Sequence, residues 1–454
     1  MPQDSIVIVG AGISGLSAAW FLHRKGFAVR VLEAETRVGG VIETESLNGY
    51  LIERGPNSTM QKPGTPDDAL GRIVAQTGLA DRMLEASPAA RKRFVMRGGR
   101  LLPLPMSPPA AIGTRLFSWR AKLRLLAEPF IGRAAAEETI AQFVTRRLGR
   151  EFLDYAIAPF VSGVYAGDPA QLSVRAAVAR IYALERDHGS LIRGAIALRK
   201  LTKGAGMPSG RLVSFDQGMA VLPAAIAAAL PDGSVRTGCR VESLARDGEE
   251  WQVRYGGPDG SAQIAAGHVV LALPAGATAA LVAPLAPEAA TLLRAIPYAP
   301  IVSAGLGYGR DEVAHPLDGF GFLIPRVEGV RILGGLFSST LFPGRAPDGR
   351  VLITAFIGGT TDPEAVALDD DAVTAAIAGD LAAALEIDGT PRPVRLSRYQ
   401  AAIPQYTLGH LDRVAGVEAA LADLPGLHLR ASWRDGVSVA DCVRNGEKLA
   451  ESLG

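Results

Sequence analysis

Ser5-Ile6-Val7-Ile8-Val9 runs directly into Gly10-Ala11-Gly12-Ile13-Ser14-Gly15, and this junction restricts the chain more than any other stretch. The β-branched run predicts a strand buried on both faces. Leu16, Ala19, Trp20 and Leu22 continue at helical spacing to a stop at Gly26, and Ala28-Val29-Arg30-Val31-Leu32 is a second strand closing on Glu33. Strand, glycine turn, helix, strand and acid in that order predict a βαβ unit that holds a dinucleotide. Gly10 permits the tight turn, Gly12 lets the backbone approach a pyrophosphate, and Gly15 lets helix and strand pack closely. The helix start, with the N–H groups of Ile13 and Ser14, presents a positive dipole end to the phosphates, and Glu33 can accept from a ribose diol.

The next glycines narrow the cofactor. Arg37-Val38-Gly39-Gly40 allows a second close pass of the chain, with Arg37 as a candidate counter-charge. Tyr50-Leu51-Ile52-Glu53 reads as a strand ending at Gly55-Pro56-Asn57-Ser58, a turn that can bring main chain against a flavin ring. The ordered set fits FAD in an extended pose.

Lys and Arg number 47 against 46 Asp and Glu, a net charge of +1, which excludes a protein governed by a basic nucleic-acid face. With 48% hydrophobic residues the chain is globular, and two cysteines, Cys239 and Cys442, cannot form a disulfide framework. The six histidines show no metal-ligand spacing. Mean hydropathy is +0.19, high for a water-soluble chain, yet the greasiest stretch, Val269 to Pro287, is cut by prolines and cannot span a bilayer. Residues 1–4 lack a basic n-region, so no targeting leader is expected and the fold should begin at residue 5.

Residues 101–109 read as a proline-broken apolar loop, followed by helical stretches at 119–127, 137–148 and 151–158. Arg115, Arg120, Lys122, Arg124 and Arg133 mix there with Leu116, Phe117, Trp119, Leu126 and Phe130, a pattern suited either to an anionic membrane surface or to a solvated helix face. Strands separated by Asp-Gly turns follow between 235 and 274, then strand-like runs at 301–308, 320–325, 331–337 and 351–357 with one helix at 371–386. Gly426 to Ala431 is a last strand, and Gly436-Val437-Ser438-Val439 opens a terminal helix whose dipole would favour negative charge on a reduced flavin. Cys442, inside that helix, is expected in the core, so FAD should be non-covalent. The predicted fold class is α/β plus α+β: a Rossmann-type FAD-binding domain (1–75, 205–280 and 405–454), a mixed-sheet substrate domain (76–100 and 281–404) and an inserted helical domain (101–204) that is a candidate for membrane contact.

These motifs, with Val164-Tyr165-Ala166-Gly167-Asp168-Pro169, Glu185-Arg-Asp-His-Gly-Ser190 and the terminal Val-Ala-Asp-Cys442, resemble the oxygen-dependent protoporphyrinogen oxidases of the monoamine-oxidase-like flavoprotein superfamily. The resemblance covers essentially the whole chain. It implies oxidation of a porphyrinogen by FAD and dioxygen, six electrons leaving in three two-electron steps with hydrogen peroxide as by-product. It implies Arg93 as the partner of a substrate propionate, Leu323, Leu336 and Phe356 around the flat macrocycle, Gly167 with its backbone facing the substrate, and Val241 among the cofactor contacts. No side-chain base is implied. Val41 follows Gly40 where many superfamily members have arginine. The expected setting is cytoplasmic, peripheral on the inner membrane, with a homodimer or a transient contact with the next haem-pathway enzyme. Flavin amine oxidases carry a lysine near flavin N5, and no lysine occurs here between Lys203 and Lys448. Carotenoid desaturases share the glycine loop but not Val-Tyr-Ala-Gly-Asp-Pro. Between the porphyrinogens, overall resemblance favours protoporphyrinogen IX, with coproporphyrinogen III as the alternative.

Overall fold

A computed structural model describes residues 4–201 and 210–453. Residues 1–3 of the four read as lacking a leader, the 204/205 boundary and Lys203 lie outside the described residues. Among those described, a parallel sheet runs in the order Val235–Arg236, Ala28–Leu32, Ser5–Val9, His268–Leu271, Leu427–Leu429. Ser5–Val9 sits at its centre, and its alternation divides the core in two. Ile6 and Ile8 pack under the helices Ile13–Arg24 and Val439–Leu453, whereas Val7 and Val9 meet Trp251, Val253, Ala275 and Ala279 on the other face. Burial on both faces is why Ile6 to Val9 are all apolar. The two helices touch backbone to backbone: a Cβ on Gly446 would lie 2.8 Å from Ala18 N.

The Asp-Gly reading holds. Arg240–Asp247, Glu250–Gly257 and Gly260–Ala266 form an antiparallel meander, with Gly248 and Gly260 at positive φ in its turns. A second, mixed sheet is ordered Val394–Pro404, Tyr298–Gly309, Arg350–Gly358, Gly334–Leu336, Gly321–Leu323, Phe94–Arg97, Arg100–Pro103, with the helix Asp370–Leu385 packed on one face. The stretch expected to begin as a loop at 101 is part of an edge strand. Gly98 and Gly99, at φ 60° and 71°, close a tight hairpin, and proline is tolerated at the end of an edge strand.

The helices between 119 and 201 are pinned by a buried ionic network. Arg147, fully buried, pairs with Glu128 at 3.1 Å and with Glu185, which also meets Arg146 at 2.9 Å. Ser190 Oγ and the Leu191 N–H donate to Glu128. Burial opposes ionisation of both carboxyls, but hydrogen bonds (from Ser190 and backbone to Glu128, from Arg146 and Arg147 to Glu185) and the Arg147 charge outweigh it and hold both below the usual carboxylate range. The Glu185–Ser190 stretch therefore serves to lock these helices together.

Arg147→Leu leaves the buried Glu128 carboxylate without an ion-pair partner and Glu185 with Arg146 alone, and should destabilise the chain by ~3–5 kcal/mol. In the intact protein the network's contribution is full above the ordinary carboxylate pKa and fades as pH falls through the depressed folded values. In the variant the burial of Glu128 is no longer opposed by a cation, so its carboxyl rises and acid neutralises the orphaned charge. Urea unfolding at pH 7.5 and 5 should show the variant's deficit shrinking toward acid.

Candidate functional site

The three glycines of the first turn differ in the way dinucleotide binding requires. Gly10 stands at φ 101°, and a Cβ there would lie 2.8 Å from Ala272 O. A Cβ on Gly15 would sit 2.0 Å from Gly10 O, so helix and turn leave no room for a side chain. Gly12 has nothing within 4 Å of where its Cβ would be. That open cradle fronts a helix with no side-chain cap and no acid in its first turn, which leaves its N–H groups available to an anion. Ile13 is core, and Ser14 bonds toward Cys442, so both residues offer only backbone outward.

The second glycine pair closes on the first. Gly39 N donates to Ala11 O at 2.8 Å, Gly39 and Gly12 form a parallel bridge, and a Cβ on Gly40 would meet Gly12 Cα at 3.3 Å. Beside them Val41 is 54% exposed, an apolar side chain more than half open at the cradle's rim. Glu33 accepts from Ala11 N at 2.7 Å and Glu35 N at 2.9 Å, which fixes its carboxylate against the turn with lone pairs remaining for a diol. Val241 is the second residue of the meander's first strand and lies two residues after Cys239, whose N–H donates to Glu33 O. Arg37, expected as a counter-charge, is directed to its own loop: it donates to the carbonyls of Val38, Gly40 and Ile42 and pairs with Glu43 at 2.9 Å.

Gly55 lies against Val41, where a Cβ would be 2.0 Å from Val41 O; Pro56 and Ser58 are half-buried beside it. Asn57 extends from this turn to the second sheet, its Oδ1 3.5 Å from both Ser338 Oγ and Thr354 Oγ1, which are 2.8 Å apart. Nothing in the sequence singled out Ser338 or Thr354, because their link to Asn57 is wholly tertiary. At the far end Gly436 has φ 108°, Val437 packs toward Tyr406, and Val439 is core. Ser438 caps the terminal helix, accepting from Asp441 N at 3.1 Å and donating to Asp441 Oδ2 at 2.6 Å. This helix start therefore already carries a carboxylate.

The register gathers the expected substrate residues. Leu323 pairs with Gly334, which pairs with Phe356, while Leu336 lies between Gly321 and Thr354 one step along. Two-residue spacing puts Leu323, Leu336, Phe356 and Thr354 on one face, opposite the core residues Phe322 and Ala355. Leu323, Leu336 and Phe356 are each half-buried. Arg93 immediately precedes Phe94, the neighbour of Phe322, and its guanidinium lies 5.1 Å from the Phe320 ring centre. Nearby Lys92 and Arg97 are matched by Asp318 and Glu151, whereas Arg93 has no carboxylate partner among the described residues. Over the same face lies the Ala158–Tyr165 helix. A Cβ on Gly163 would be 2.7 Å from Leu323 Cδ2, and Ala166 packs with Phe356, Ile301 and Ile403. A Cβ on Gly167 would lie 2.4 Å from Gln405 Oε1.

A glycine-turn nucleotide cradle joined by Asn57 to an apolar sheet face is the architecture of a flavin-dependent oxidoreductase, and the chain belongs to the flavin-containing amine oxidoreductase family, whose model matches residues 13–453. Within that family it stands with the protoporphyrinogen oxidases. It is 35% identical to protoporphyrinogen oxidase 1, chloroplastic, of Spinacia oleracea over 98% of this chain and 83% of that one. It is 27% identical to coproporphyrinogen III oxidase of Bacillus subtilis over 98% of this chain and 97% of the relative. The fold matches a crystal structure from Exiguobacterium sp. 255-15 with a TM-score of 0.82, at 24% identity and over 100% and 99% of the two chains.

The glycine geometry separates two kinds of failure. Gly12→Val should fold and melt near wild type but lose flavin affinity by about a hundredfold or more, ~2.7 kcal/mol. Gly15→Val should fail to fold. Flavin absorbance of the purified variants and their thermal melts read both outcomes.

Proposed function

We propose that the chain is an FAD-dependent oxidase of protoporphyrinogen IX, forming protoporphyrin IX and passing electrons to dioxygen. The observation that carries this reading is the single sheet face bearing Leu323, Leu336 and Phe356, with Arg93 at its edge and Asn57 reaching it from the cofactor side. A flat apolar macrocycle with peripheral carboxylates needs such a face and such a guanidinium.

FAD, held by the Gly10–Gly15 turn, Glu33 and the Gly39-Gly40 pass, would supply two-electron oxidation with dioxygen as final acceptor, so that six electrons leaving the porphyrinogen would correspond to three dioxygen reduced to hydrogen peroxide. The protein's part is orientation and exclusion of water. Leu323, Leu336 and Phe356 hold the ring by apolar contact, Arg93 fixes a propionate, and the Gly167 backbone bounds the opposite side. Asn57, Ser338 and Thr354 are neutral and bond to one another, so they position the turn at Gly55 without acting as a base. The extended glycine set and Glu33 support FAD over a mononucleotide. Cys442 supports non-covalent binding, since burial pushes its thiol up to about 11 and leaves it a poor nucleophile.

Two observations favour protoporphyrinogen over coproporphyrinogen. Identity is higher to the spinach protoporphyrinogen oxidase than to the Bacillus coproporphyrinogen III oxidase. Lys92 and Arg97 are already neutralised, which suits a dicarboxylate better than a tetracarboxylate. Anaerobically prepared porphyrinogens assayed by product fluorescence decide: protoporphyrinogen should turn over faster, and an equal or greater rate on coproporphyrinogen overturns the choice.

Peripheral membrane contact has its own support. Trp119, Leu126 and Phe130 are 66%, 71% and 84% exposed, with Arg115, Arg120 and Arg133 exposed among them. No described helix is long and apolar enough to cross a membrane. Co-sedimentation with anionic vesicles should fall about tenfold for the double variant Leu126→Glu, Phe130→Glu, with porphyrinogen turnover in solution unchanged. Wild type that stays in the supernatant removes the membrane reading.

A further inference from the structure

The turn Tyr165-Ala166-Gly167 is clamped from outside its own helix. Ala166 ends the helix left-handed, at φ 46°, which is strained for a residue with a Cβ. Its carbonyl accepts from Thr360 N at 2.8 Å, and Gly359 lies so close that a Cβ there would be 2.5 Å from the same oxygen. On the other side stands Gln405, only 2% exposed. Its Nε2 donates to Tyr165 O at 2.7 Å and to Ile403 O at 3.0 Å. With carbonyls at both contacts, reversing the amide would set oxygen against oxygen, so its orientation is fixed. The Gln405 backbone N–H is itself anchored to Pro297 O at 2.8 Å.

The other end of the amide is the informative one. Gln405 Oε1 has no hydrogen-bond donor and rests against Gly167, where a Cβ would be 2.4 Å away. A buried acceptor left empty costs stability, and an apolar residue of similar shape would avoid that cost. What the glutamine secures instead is geometry: one end sets the Tyr165 carbonyl, the other keeps position 167 free of a side chain, directly over the cluster of Ala166 and Phe356.

We propose that Gln405 is a positioning residue for the porphyrinogen, holding the Tyr165–Gly167 backbone in the plane that meets the macrocycle. The inference rests on the porphyrinogen reading above. The same side chain, with Leu172 Cδ1 at 3.0 Å, crowds the place a Cβ at position 167 would take, although the φ there is not in the left-handed region.

Two variants test it, each checked first for flavin absorbance and thermal melting. Gln405→Leu should raise KM for protoporphyrinogen and the Kd for protoporphyrin IX, read by fluorescence quenching, about tenfold, with kcat changed far less. Gln405→Glu should bring in a pH dependence that wild type lacks. Its protonated carboxyl keeps one donor for Tyr165 O, whereas the ionised form has none and sets a charge against two carbonyls. Burial raises that carboxyl's pKa, so KM should lie near wild type at the acid end and climb as pH rises through the raised value. Unchanged KM and Kd in Gln405→Leu, or a Gln405→Glu profile that superimposes on wild type, overturns the role. Should Gln405→Leu not fold, the profile of Gln405→Glu decides alone. A wild type that neither oxidises a porphyrinogen nor binds protoporphyrin sinks both readings; a competent wild type beside indifferent variants sinks only the role of Gln405.

Discussion

Two backbone contacts hold the nucleotide-binding unit together: Gly15 against Gly10 O, and Gly446 against Ser17 and Ala18. The first brings the leading helix down onto the glycine turn and so aims its N–H groups at the open space beside Gly12. The second lays the helix Val439–Leu453 across the first one with no side chain between them, which sets where Gly436 and Ser438 stand. Neither contact is large in area. Each is a place where one added methyl group would push apart elements that everything else is built upon.

The parts of the fold written locally were legible. The first strand, helix and second strand follow from a run of apolar residues and two punctuating glycines, and the meander turns follow from Asp-Gly pairs. What periodicity cannot show is which strands become neighbours. The alignment of Leu323, Gly334 and Phe356 arises from pairings between segments whose spacing encodes no register, and only the family resemblance indicated those three leucine and phenylalanine positions. Residues 101–103 read as the start of the proline-broken loop 101–109, although an edge strand leaves the nitrogen of Pro103 facing outward without cost. Arg37 was read as a phosphate counter-charge from its place beside two glycines; the carbonyls of 38, 40 and 42 compete for the same guanidinium. Gln405 gave no signal, since an isolated glutamine after Ile403-Pro404 has no pattern, and its meaning lies in Tyr165 and Gly167, distant in sequence.

The second sheet presents two chemically different faces. Its core face is packed and featureless chemically, while the opposite face carries half-buried apolar residues and a neutral polar triad. Under the proposed function the redox chemistry falls to the flavin, and the side chains of this face are assigned to orienting the substrate. The stretch without lysine from 204 to 447 is part of that distinction.

The order of strands in the central sheet has a consequence for synthesis. Ser5–Val9 emerges first and gains Ala28–Leu32 almost at once, but its other edge waits for His268–Leu271, and that strand in turn waits for Leu427–Leu429. At roughly 5–20 residues per second, the apolar run Ile6–Val9 stays half-paired on the ribosome for on the order of tens of seconds, an open β-edge that persists until His268–Leu271 has been made. The nucleotide cradle gains its last wall only when the closing helix docks on Ser17, so retention of flavin reports that the final strand and helix have arrived.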